Sequence, residues 1–137
     1  MSLYRHNPAE LAPPTGSSHA VTATGTRLVF LAGQAAHGPD GKIVGDSLTE
    51  QFATALGNLL TVLRHAGGTP ADLARLTVYT TDVDTYQDEA DELGEIWARL
   101  AGRDHPATAV IGVVRLRDDR ARIELDGIAV LDEPTPA

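Results

Sequence analysis

The chain has 137 residues, 42% of them hydrophobic and 22% charged, which suits one domain with a modest core. A formal net charge of -8 disfavours nucleic acid as the main partner, since phosphate binding needs a basic footprint, and the absence of cysteine excludes disulfides and thiolate chemistry. No apolar run is long enough to span a bilayer, and the first ten residues lack the apolar centre of a secretion signal, so a cytoplasmic location is the default expectation.

Residues 1–18 are polar and carry Pro8, Pro13, Pro14, Gly16, Ser17 and Ser18, so they read as a flexible N-terminal arm. A single domain is expected over 19–131, with 132–137 as a short tail. Residues His19 to Thr24 alternate and predict a strand, and Thr26 to Ala32 predict a second, with Gly25 as the turn between them. Pro39-Asp40-Gly41 predicts a turn, because Pro presets φ and Gly accepts a positive one. Ser47 and Glu50 have capping-box spacing, and Leu48, Phe52, Leu56, Leu59, Leu60 and Leu63 then recur at helical intervals. That helix should stop at Gly67-Gly68, and Thr69 to Asp72 should cap a single turn. A strand is predicted within Leu73–Thr81. A second long helix should start at Asp84 or Thr85 and end at Gly102, burying Tyr86, Ala90, Leu93, Trp97 and Leu100 and exposing an acidic face.

Two strands should close the chain. The run from His105 to Val114 is apolar on nearly every residue, with Val110, Gly112 and Val114 on one side and Ala109, Ile111 and Val113 on the other, which predicts a strand buried on both faces. The run from Arg122 to Val130 alternates, with Glu124 and Asp126 opposite Ile123 and Leu125. The order β-β-α-β-α-β-β predicts an α+β fold whose mixed sheet carries two long helices on one face. The uncovered face is then expected to pack against further copies of the chain. Arg115, Arg117, Arg120 and Arg122 are interleaved with Asp118 and Asp119 and read as a solvated turn. His6, His37 and His65 lack metal-ligand spacing, so no metal is expected. Arginine and alanine dominate over lysine, present only as Lys42, a bias associated with GC-rich bacterial genomes.

Five segments match one family in order and spacing: Leu31-Ala-Gly-Gln34, Arg64-His-Ala-Gly-Gly68, Leu76-Thr-Val-Tyr-Thr-Thr-Asp82, His105-Pro-Ala-Thr108 and Ile123-Glu-Leu-Asp-Gly-Ile-Ala129. Over roughly residues 15–131 the chain resembles the RidA family, also called YjgF- or UK-type proteins. The resemblance implies a chorismate-mutase-like fold and a homotrimer with an inner β-barrel, outer helices and small-molecule clefts between subunits. It also implies hydrolysis of reactive enamines and imines to 2-keto acids and ammonia, without metal or cofactor. The family's key arginine, two residues after the Pro of its Pro-Ala-Arg motif, holds a substrate carboxylate in a bidentate pair. Here that position is Thr108, whose hydroxyl cannot replace the charge. The acidic residue that positions or activates water is retained as Glu124. The N-terminal aromatic hydroxyl aligns with His19, and the serine before Gly-Gln is Ala32.

These matches make Glu124 and Thr108 the candidate catalytic residues, and His19, Ala32, Gly33, Gln34, Ala109 and Arg115 the candidate substrate contacts. From spacing alone Glu124 reads as an exposed carboxylate paired with an arginine such as Arg122. In a partly apolar interface cleft, desolvation would instead move it toward general acid/base work. Asp126 reads as structural, and Arg115 is the nearby cation that could stand in for the lost clamp. The expected activity is hydrolysis or tautomerisation of an enamine or imine other than the archetypal 2-iminoacids, in an intersubunit cleft that binds a small metabolite. The alternatives are a non-catalytic metabolite-binding or chaperone-like trimer, and a dedicated pathway enzyme acting on a larger intermediate. The family's occasional endoribonuclease and translation-inhibitor labels gain no support from the acidic balance.

Overall fold

The computed structural model describes residues 2–133, so Met1 and the 134–137 part of the expected tail lie outside it. In chain order the elements are β1 (Ser2–His6), β2 (Ala20–Thr24), β3 (Arg27–Gln34), α1 (Leu48–His65), a one-turn helix (Pro70–Asp72), β4 (Leu73–Thr80), α2 (Val83–Asp88), α3 (Ala90–Ala101), β5 (Ala107–Gly112) and β6 (Ile123–Leu131). A four-stranded mixed sheet runs β3-β6-β4-β5, parallel only between β4 and β5. The α+β class and the mixed sheet are as the sequence predicts.

The core lies between this sheet and the helices. All six predicted apolar positions of α1 are buried, together with Leu76, Val78, Leu93, Trp97, Ile123 and Leu125. Ser47 caps α1 by accepting the Glu50 amide, but the Glu50 carboxylate accepts from the Ser47 hydroxyl, so this side of the predicted box closes on the hydroxyl. At the other end Gly68 N–H reaches Leu63 O and Gly67 N–H reaches Arg64 O, with Gly67 at φ +94°. This is the Schellman stop that the Gly-Gly pair predicts.

Three expectations are corrected. Residues 2–6, read as part of a loop, form β1, which pairs antiparallel with β2. The second long helix is two helices: it starts after Asp82 rather than Asp84 or Thr85, and it breaks at Glu89. Asp84, Asp88, Asp91 and Glu92 place like charges three and four residues apart around that break, which weakens a continuous helix. Ala90, expected on the buried face, is exposed. Within one chain β5 is the sheet's edge strand, and Val110 and Ile111 are each 43% exposed. On the sheet face away from the helices, Leu28 and Phe30 are exposed as well.

Asp82 caps α2 through Thr85, accepting its hydroxyl at 2.6 Å and its amide at 3.1 Å. The side-chain bond first, then the backbone bond, hold its carboxyl below the usual aspartate range. With the folded value below the unfolded one, the cap's contribution is complete above the unfolded value and is lost as pH falls through the folded one. Asp82→Asn keeps a capping oxygen but does not titrate. It is expected to flatten the acid limb of a plot of urea midpoint against pH; an unchanged limb would refute the assignment.

Candidate functional site

Alternation along β6 sends Ile123 and Leu125 into the core and leaves Glu124 and Asp126 half-buried on the opposite face. The two carboxylates have different surroundings. Asp126 accepts a hydrogen bond from the Tyr79 hydroxyl at 3.3 Å. The Glu124 carboxylate has no hydrogen-bond or ion-pair partner among the described residues, and it lies against Gly33 of the neighbouring β3. A Cβ at Gly33 would sit 2.6 Å from Glu124 Oε2. Glycine there is a steric requirement of the carboxylate's position.

Glu124 and Gly33 line a cleft of about 640 Å³ together with His37, Arg115, Arg117 and Asp118. Two side chains of α1 hold backbone in its walls or next to them. Gln51, almost fully buried, donates to the carbonyls of Gly45 and Arg120 and accepts from the Arg122 amide at 2.8 Å. Asn58 donates to the carbonyls of Ala35 at 3.1 Å and His37 at 2.9 Å. His37 Nε2 lies 3.7 Å from an Asp118 carboxylate oxygen, joining the two walls. Neither amide is among the sequence-based candidates. The available signal was Gln51 itself, a polar residue on the apolar stripe that runs from Leu48 to Leu63.

Thr108 is elsewhere. It pairs across the sheet with Leu76, on the helix-facing side, and lines a second cleft of about 640 Å³ between helices and sheet. That cleft is walled by Phe52, Val78, Tyr86, Leu93 and Trp97 and is bordered by Ser17 of the N-terminal loop. The Thr108 hydroxyl donates to Pro106 O at 2.9 Å. His105 stacks on Trp97 at 5.5 Å between ring centroids. Burial first, then the Arg5 charge, push the His105 imidazole below its ordinary range, so it is neutral at pH 7.

The remaining candidates separate. Gly33 and Arg115 join Glu124, with Arg115 arriving on the loop after β5. Ala109 lies on Glu124's side of the sheet, but lines neither cleft. Ala32 is exposed on β3, and Gln34 turns its amide toward the Ala32 carbonyl. His19 is exposed in the N-terminal loop, where its ring nitrogen Nε2 is 2.8 Å from Ala12 O, and it lines neither cleft. One chain therefore does not bring Thr108 or His19 to Glu124. Among the described residues no group of three or more His, Asp or Glu is placed to hold a metal ion, and no helix is long and apolar enough to cross a membrane.

Gly33→Ala tests the carboxylate's placement. The clash is with the end of a flexible side chain, so the fold should tolerate it while Glu124 is displaced. Turnover is expected to fall about tenfold, consistent with small displacements of a catalytic group costing up to a hundredfold. Unchanged turnover would show that this position of Glu124 is not the working one.

Comparison with known proteins agrees with this architecture. The family model described as Endoribonuclease L-PSP matches residues 8–131. A RutC family protein of Pyrococcus abyssi is 30% identical over 103 residues, covering 74% of this chain and 77% of that protein. The structure of the Rid family protein YyfB from Yersinia pestis superposes with a TM-score of 0.86 at 36% identity, covering 96% of this chain and 100% of that one. The structure of Escherichia coli TdcF, solved with bound serine, has a TM-score of 0.66 at 25% identity, covering 82% and 93%. The chain belongs to the Endoribonuclease L-PSP family, that of the RidA/YjgF-type proteins.

Proposed function

We propose that the chain hydrolyses or tautomerises a small enamine or imine, with Glu124 as the group that moves the proton. The observation that carries this reading is a carboxylate with no hydrogen-bond or ion-pair partner among the described residues, held against Gly33 in a polar cleft braced from α1. A free carboxylate beside a space that admits water can deprotonate that water as it attacks the imine carbon, then return the proton to the leaving nitrogen. Arg115 lines the same cleft and can orient a polar substituent.

Within one chain the Thr108 cleft lies on the other sheet face. In our reading, a homotrimer completes the site by setting the Glu124 cleft of one subunit against the Thr108 cleft of its neighbour. The exposed Leu28, Phe30 and Ile111 supply apolar surface for such an assembly. The serine held by the related TdcF structure supports a small-molecule ligand. The test is ammonia release from imines generated in situ, with spontaneous hydrolysis subtracted, alongside the mass in solution by light scattering. Acceleration by a trimer supports the reading. A monomer, or no acceleration with any imine, would overturn it.

A further inference from the structure

We propose that the helix–sheet cleft selects imines that carry no carboxylate, and that its ligand is the neutral imine or cationic iminium of an apolar, aromatic-sized amine. This rests on the reading of the chain as an imine hydrolase and names the substrate class of that site. Three observations carry it.

The first is charge. The residues lining the cleft include no arginine and no lysine, and their two charged members, Asp91 and Glu95, are both acidic. Arg5, which lies against His105, is occupied by the His105 carbonyl at 3.2 Å and by Asp104 at 3.9 Å. A carboxylate held by this lining would lose hydration without gaining a cationic partner from it and would face two like charges. A cation meets the opposite situation, with carboxylates at hand and the rings of Tyr86 and Trp97 in the wall.

The second is polarity. The wall is apolar and aromatic, the Thr108 hydroxyl donates to Pro106 O, and the stacked His105 is neutral at pH 7. The lining offers an anion hydroxyls such as those of Ser17 and Tyr86 but no cation. The third is size. About 640 Å³ lies in the middle of the range for small-molecule sites and accommodates an aromatic side chain.

The reaction balances without a further reactant. Water adds its oxygen to the iminium carbon, the carbon–nitrogen bond breaks, and an aldehyde and ammonium leave. No atom changes its net oxidation level. A reaction that oxidises a primary amine or decarboxylates an amino-acid-derived imine must supply such a substrate.

The experiment uses two imines that differ only in the carboxylate. One is made in situ from 2-phenylethylamine by an amine oxidase, the other from phenylalanine by an amino-acid oxidase. Wild type is expected to favour the first in kcat/KM by at least about tenfold, and Thr108→Arg to erase or reverse the preference. Equal or greater activity on the carboxylated imine would overturn the proposal, and its loss in Arg115→Ala would move substrate recognition to the Glu124 cleft. Binding is measured in parallel by fluorescence of Trp97, the chain's one tryptophan. The probes are 2-phenylethylamine and 3-phenylpropionate. If neither imine is hydrolysed, the binding data alone decide the ligand class. Tighter binding of the amine by about tenfold supports it, and equal or tighter binding of the acid overturns it.

Discussion

Glu124→Gln is expected to lower imine turnover by about 10²- to 10⁴-fold, the range that a general acid or base contributes, while leaving the melting temperature within a degree or so of wild type. Both halves follow from the site. The amide has the shape of the carboxylate but cannot take a proton from water. The carboxylate it replaces holds no hydrogen bond or ion pair among the described residues, so its loss breaks nothing in the fold. A substitution that removes no hydrogen bond or ion pair and opens no cavity changes stability by only about half a kcal/mol. The assay must be run on the imine that wild type handles best, with melting followed on the same preparation. Full activity in the variant would remove Glu124 from the chemistry. A large drop in melting temperature would show instead that the carboxylate is structural.

Gly127→Ala is expected to destabilise the protein by about 3 kcal/mol, within the range for overpacked cores, and to lower melting by about 10 °C. Gly127 lies on β6 between Leu31 of β3 and Leu76 of β4. A Cβ there would lie 2.7 Å from the Arg75 carbonyl oxygen. That oxygen is backbone, and β4 is hydrogen-bonded on both sides, to β6 and β5. The strand cannot yield as the Glu124 side chain can yield at Gly33. The β4–β6 register also shifts between Leu73 and Arg75, so the glycine stands where the ladder is already irregular. Thermal melts at equal protein concentration measure the effect, since any self-association shifts the midpoint by mass action. A change under about 1 kcal/mol would mean that β4 and β6 separate at this point more easily than their packing indicates.

What the sequence made legible was local. The α1 stripe, its Gly-Gly stop and the alternation of β6 each depend on residues a few positions apart, and each is found as read. β1 was hidden because Ser2–His6 carries no turn signal and its partner β2 lies beyond the proline-rich segment. For β5, an apolar run shows that the strand has two apolar sides but not which neighbours cover them. The site was legible only in part. Glu124 and Gly33 followed from the family register and do meet. Thr108 followed from the same register, but its side of the sheet is set by its pairing with Leu76, a partner on another strand. Gln51 and Asn58 act through carbonyls far away in sequence, and no short motif records such bonds.

The two amides of α1 also bear on the thermodynamics of recognition. Their bonds tie the segments flanking Glu124 to the longest helix of the fold, whose inner face is nearly solvent-free. Loops anchored in this way have little conformational freedom left to surrender when a ligand arrives. Binding at Glu124 should therefore carry a small ordering penalty, and discrimination among ligands should arise from a shape present beforehand rather than from closure around the guest.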